Sequence, residues 1–244
     1  MSDARFGYFS ISRSGTTGDD RDYLEWHQLD HMPEQWRIPG IVWGSRWAST
    51  APCETVRAAQ VGEWAAVAHV VNYLMREPVD ETLDDFFSLA QELRDAGRFS
   101  VGLPSVFQGA LRLLETHAAP RVLVAPDVVP FRPNRGVYVV VEEPTDTDRW
   151  DAYQQRVHRQ TLPAILAVPG VAGAWVFGTS PSVRPREIYS AGHYRITVCY
   201  LDDEPAAVGA RLVEPLSQSW EGAPTRPLLA APFESMMTCA WDRF

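Results

Sequence analysis

The sequence predicts an α+β fold in which two tandem βαββαβ units curl their sheets into a single barrel. Two observations carry this: the chain is written twice, and its strands read as near-continuous apolar runs that need cover on both faces. Asp22 to Trp47 (DYLEWHQLDHMPEQWRIPGIVWGSRW) lies over Ala152 to Phe177 (AYQQRVHRQTLPAILAVPGVAGAWVF) at an offset of 130 residues. The overlay pairs Tyr23 with Tyr153, Pro33 with Pro163, and Pro39-Gly40 with Pro169-Gly170. YFSI at Tyr8 meets YVVV at Tyr138, and AHVVNYL ending at Leu74 matches ITVCYL ending at Leu201 at a slightly shorter offset. A repeat of roughly 120 residues is far longer than a solenoid unit, so it indicates duplication of a small domain.

Both copies share one element order. An apolar run (Arg5 to Ser12; Gly136 to Glu143) predicts the first strand. A helix follows, opening at Asp19-Asp20 or at Asp146 to Asp148, where carboxylates suit the positive end of the helix dipole, and closing at the Pro-Gly pairs. Next come a strand (Ile41 to Ala48; Val171 to Gly178), a second strand (Ala66 to Met75; Tyr194 to Asp202), a second helix (Glu81 to Asp95; Glu204 to Ser217) and a last strand (Val106 to Glu115; Glu234 to Trp241). That order is the ferredoxin-like unit. Residues 1–118 form the first unit, with the candidate cleft. The Pro-rich segment 119–135 is the linker, and 136–244 form a degenerate second unit acting as scaffold. Two four-stranded sheets with helices on one face can bury their bare faces against each other, so one chain closes the barrel as a monomer with a pseudo-twofold; a homodimer stays open.

With 45% hydrophobic and 22% charged residues, the 244-residue chain has the mixture of an ordinary globular protein. No run approaches the roughly 18 to 20 apolar residues of a membrane span, and the N-terminus lacks a signal-peptide pattern, so a cytoplasmic protein without a membrane partner is expected. A net charge of −9 with scattered arginines argues against nucleic acid. All the basic residues are arginine, which excludes Schiff-base chemistry and the phosphate-loop lysine. Cys53, Cys199 and Cys239 have no disulfide or zinc spacing and are expected to be reduced; Cys53, in the loop STAPCETVR, could also be a reactive thiol near a cleft mouth. There is no G-x-S-x-G, G-x-G-x-x-G or H-E-x-x-H, and no cofactor is implied.

At 100° per residue, Trp150, Tyr153, Val157, Thr161, Ala164 and Val168 form one stripe of the second copy's first helix. Shifted by 130, the stripe becomes Asp20, Tyr23, His27, His31, Glu34 and Ile38. Buried ionisable groups are costly unless paired or used, so this difference predicts an open cleft under the first helix and a filled one under the second. Backbone carbonyls satisfying the histidines, with Glu34 turned to solvent beyond Pro33, would explain the same residues.

The run HMPEQWRIPGIVWGSRW, His-x-Pro followed by Pro-Gly and an apolar strand, resembles the EthD-like branch of the dimeric α/β-barrel superfamily. The resemblance implies a helix-borne histidine lining the cleft, matched by His31, whereas Thr161 stands there in the second copy. It implies a cofactor-free dehydratase, isomerase or cyclase acting on a small cyclic or aromatic carbonyl compound, with His31 as general acid or base. His27, Glu34 and Tyr23 are candidates to assist. Tyr8, Trp26, Trp43, His69, Asn72 and Tyr73 are candidates to bind a hydrophobic or aromatic substrate, although alternation places His69, Val71 and Tyr73 on one strand face and Asn72 on the other. Three rival readings stand beside it: a metal held by His27, His31 and Glu34, a haem with His117, His158 or His193 as axial ligand, and a non-catalytic carrier of a hydrophobic metabolite. A cofactor-free monooxygenase also belongs to the superfamily's repertoire.

Overall fold

A computed structural model of the protein describes residues 3–15, 20–99 and 102–236. Each copy has the predicted order. The first runs β1 (Phe6–Arg13), α1 (21–35), β2 (Ile41–Ala48), β3 (Val67–Met75), α2 (Val79–Asp95) and β4 (Ser105–Ala118). The second runs β5 (Gly136–Pro144), α3 (150–167), β6 (Val171–Gly178), β7 (Arg195–Leu201), α4 (Pro205–Trp220) and β8 (Thr225–Ser235). Neighbouring strands follow the order β2-β3-β1-β4-β6-β7-β5-β8, and β8 returns to β2 through Trp47↔Ser235 and Ala48↔Glu234. These eight strands therefore close a barrel within one chain, and a ninth, two-residue strand, Ala59–Gln60, pairs with Leu229 and Ala230 of β8. The last strand of each unit reaches into the other: β4 pairs with β1 and then, from Arg112 to Ala118, with β6.

Strand alternation sorts the side chains between two environments. Val137, Val139 and Val141 of β5 point into the barrel, where they meet Phe9, Ile11, Trp175 and Phe233, while Tyr138 and Val140 face the helices. The same holds for β3, where Val70 and Leu74 face the barrel and Val71 and Tyr73 face α1 and α2. Burying both faces explains why the strands look like unbroken apolar runs. The segment 119–135 carries a 3₁₀ turn, Pro126–Phe131, whose Val129 is buried in the barrel cluster and whose Pro126 carbonyl accepts a hydrogen bond from Trp175 Nε1 at 2.9 Å.

Two expectations are corrected. The last strand lies at Thr225–Ser235 instead of Glu234 to Trp241; residues 237–241 of that expected strand fall outside the described residues. Cys53 is not in an open loop: it sits in a helical turn, Ala51–Glu54, with no exposed surface, and burial pushes its thiol up, away from a reactive thiolate. Cys199 is likewise buried and unbridged. Among the described residues no helix is long and apolar enough to cross a membrane.

Candidate active site

Helix α1 is not a regular α-helix. Its middle, His27–His31, is a π turn closed by Met32 N–H donating to His27 O, and α3 has the same turn at Val157–Thr161, closed by Leu162 N–H donating to Val157 O. The cause is local to the repeat. Pro33 has no N–H for the carbonyl of Leu29, four residues earlier, and its ring would crowd that oxygen; a widened turn just before it relieves both problems. Pro163 does the same in the second copy.

The extra residue shifts the inward face. Positions 27, 31 and 35 point under the helix, so Gln35, 1% exposed, stands where α periodicity places Glu34. Glu34 turns outward instead, where its carboxylate accepts from Arg37 at 2.7 Å and from Arg98 at 3.0 Å, and these bonds hold its pKa down. Its expected position under the helix is taken by Gln35, which lines the cavity beneath. In the second unit the same shift buries Ile165 and exposes Ala164.

Beneath α1 lies a cavity of about 330 Å³ between helices and sheet. Tyr8 of β1, Tyr23, Trp26, His27, His31 and Gln35 of α1, Tyr73 of β3 and Phe86 and Phe87 of α2 form much of its wall, with Phe99 and Gln108. The equivalent space beneath α3 is about 10 Å³. It is filled by Tyr153, Val157 and Ile165, and by Glu142, whose carboxylate accepts from Tyr153 Oη and from Trp220 Nε1.

Within the open cleft, Gln35 Nε2 lies 2.8 Å from His31 Nε2 and donates to it. Trp26 stacks on the His31 ring at 4.7 Å, and Phe99 meets it edge-on at 5.2 Å. Tyr73 Oη lies 3.4 Å from His27 Nε2. The Gln35 amide, which can only donate through Nε2, places the proton of the neutral His31 ring on Nδ1, whereas the Tyr73 hydroxyl can donate to His27 Nε2 or accept from it. Both Nδ1 atoms, together with Gln35 Oε1, are buried with no hydrogen-bond partner among the described residues. Burial pushes His31 down to about 4; Asp30 pulls it up, and the Arg46 guanidinium pushes it down further. Burial, then Arg46, also holds His27 well below its ordinary value. Both imidazoles are neutral at pH 7.

Arg46 was not anticipated. It lies on β2, 4% exposed, with its guanidinium 4.9 Å above the Tyr23 ring and none of its three nitrogens hydrogen-bonded. The sequence did carry a signal: at the same offset, Arg46 lies over Val176, another charged-for-apolar exchange of the kind already seen in the helix.

Other expected residues are placed elsewhere. His69 is buried and donates Nε2–H to Asp20 at 2.7 Å. Burial alone would raise the Asp20 carboxyl, but hydrogen bonds from His69 and the Gly15 N–H outweigh it and bring it to about 2. Asn72 points into the barrel, its Nδ2 donating to Tyr8 O. Trp43 is 39% exposed and stacks on Trp36 outside the cleft. With Glu34 turned away, His27, His31 and Glu34 do not converge on an ion. Nor do the proposed haem ligands line this cavity: His117 and His158 both contact Glu115, and His193 is exposed. The filled second cleft leaves no room for a macrocycle.

No family model and no curated protein matches the chain. Solved structures do. An anthrone oxidase-like protein superposes with a TM-score of 0.57 at 11% identity, over 96% of this chain and 92% of its own. The chlorite dismutase from Candidatus Nitrospira defluvii superposes with a TM-score of 0.53 at 13% identity, over 95% of this chain and 92% of its own. The fold is that of the dimeric α/β barrels. At these identities the likeness speaks for the architecture, with both halves of the barrel supplied by one chain.

Proposed function

We propose that the protein is a cofactor-independent proton-transfer enzyme of the dehydratase, isomerase or cyclase type, of EthD-like character, with His31 as general acid–base. The observation that carries this is the His31 imidazole in the wall of an open cleft that the second unit lacks, its buried Nδ1 without a hydrogen-bond partner among the described residues. Nitrogen atoms left unsatisfied in a low-dielectric site are costly, and a ligand group that bonds them removes the cost.

A flat cyclic or aromatic ketone fits between Trp26, Phe86, Phe87 and Phe99. With Tyr73 Oη donating to His27 Nε2, the Nδ1–H of His27 donates to the carbonyl oxygen. When the Gln35 amide turns by half a revolution, its Oε1 accepts from His31 Nε2–H, and Nδ1 becomes a lone-pair base for a proton next to the carbonyl. That step gives an enolate and an imidazolium, and the imidazolium then returns the proton to another carbon or to a departing hydroxyl. The Arg46 charge, with no hydrogen-bond partner among the described residues, stabilises the enolate while it exists.

His31→Ala tests this reading. With aromatic ketones as probes and calorimetry as the binding measurement, kcat should fall by about 10²- to 10⁴-fold while binding persists. Weakened binding in the variant, with no turnover by either protein, would mark a carrier. A second reading, cofactor-free monooxygenation, is favoured by the anthrone oxidase-like neighbour. It starts from the same deprotonated substrate but consumes dioxygen, so an oxygen electrode separates the two.

A further inference from the structure

Outside the cleft, three metal-binding groups converge where the two units meet. Glu115 and His117 are two residues apart on β4 and so share one strand face. A register shift between Leu113 and Glu115 re-aims that face where β4 pairs with β6. His158 comes from the π turn of α3. His117 Nε2 lies 2.8 Å, and His158 Nδ1 2.5 Å, from the same Glu115 oxygen, Oε2. All three ligand atoms lie within 4.8 Å of one another.

We propose that Glu115, His117 and His158 bind a divalent transition-metal ion, with zinc as the best match, and that the ion clips the last strand of the first unit to the first helix of the second. Two imidazoles and one carboxylate suit zinc and its neighbours, whereas magnesium and calcium prefer all-oxygen sets. Tetrahedral zinc, with bonds of about 2.0 to 2.2 Å, holds its ligand atoms roughly 3.3 Å apart. The Glu115 oxygen therefore needs to withdraw from each nitrogen by less than about 1 Å, and the two nitrogens, which lie within 4.8 Å of each other, need to settle at the same spacing through small rotations of the partly exposed side chains. Each imidazole meets the ion through the nitrogen that now donates to Glu115, and its proton moves to the other ring nitrogen with no net release. The His117, Glu115 and His158 side chains are 23%, 27% and 54% exposed, so an ion can enter and water can take the fourth position. Gln28 stands at the position of His158 in the first copy, so the trio belongs to the second unit's helix and not to the repeat.

Titration of the tag-free, chelator-treated full-length protein with zinc chloride in a calorimeter tests this. One equivalent should bind, and Tm should rise by on the order of 5 °C at a hundredfold excess over Kd. His158→Ala, at a half-exposed position, should leave the metal-free Tm unchanged and weaken zinc binding by at least about tenfold. Glu115→Gln should weaken it as well, and His31→Ala should not. Absence of saturable zinc binding would overturn the proposal. So would binding that survives the His117→Ala/His158→Ala double substitution or disappears in His31→Ala, which would place the ion in the cleft.

Discussion

Acid should unfold this protein partly through His31, and by a predictable amount. Burial holds the folded ring at about 4, while the unfolded chain restores the ordinary value of 6.5. Between those values the unfolded chain takes up a proton that the folded protein refuses, so stability is complete above about pH 6.5 and falls as the pH drops toward 4. Two and a half pKa units at about 1.36 kcal/mol each give roughly 3 kcal/mol in all, of which about 2.5 kcal/mol is lost by pH 4.5. His27, also held low by burial, adds in the same direction. Urea denaturation of the wild type and His31→Gln at pH 7.0 and 4.5 isolates the contribution of residue 31, because other titrating groups act in both proteins. The wild type should lose about 2.5 kcal/mol more than the variant. Equal losses would refute the reasoning, as would an NMR titration of the His31 ring with a midpoint near 6.5.

Arg46→Met should leave stability unchanged or raised, because it replaces a buried charge that lacks hydrogen bonds by an apolar chain of similar length that can still pack on the Tyr23 ring. Without that charge His31 and His27 should titrate at higher pH by NMR, and turnover should fall at least about tenfold. Thr161→His puts an imidazole into a space of about 10 Å³. It should cost about 1–3 kcal/mol in denaturation experiments and create no second active site. At Gly136 an added Cβ would lie 2.2 Å from the backbone oxygen of Phe233. Gly136→Ala should therefore lower stability by more than about 2 kcal/mol, read from chemical denaturation.

Much of the fold was legible because the duplication supplied an internal alignment. Strands β2 and β6 fall on the expected bounds, and the Pro-Gly pairs follow α1 and α3. The last strand was misplaced because TRPLLAAPFES contains Pro227 and Pro232, which read as breakers. In the barrel Pro227 lies opposite Glu142, beside a register shift, and Pro232 lies opposite Tyr138 within the ladder. The site was legible in part. His27, His31, Tyr23, Trp26, Tyr8 and Tyr73 do meet around one cavity. Gln35 was hidden because a period of 3.6 residues has no place for a π turn, whose cause is a proline two residues beyond it. The alternation argument placed His69 and Tyr73 correctly on one face, but it could not show that Asp20 would claim His69.

The central claim is that His31 moves a proton on a ligand's carbon inside the first cleft. Its most direct test is deuterium wash-in: the protein is incubated in heavy water with cyclic and aromatic ketones that bind it, and exchange next to the carbonyl is followed by NMR. The account predicts wash-in catalysed by the wild type and by Thr161→Val, and lost in His31→Gln. Wash-in that persists in His31→Gln, or none at all from ketones seated in the cleft, would contradict it.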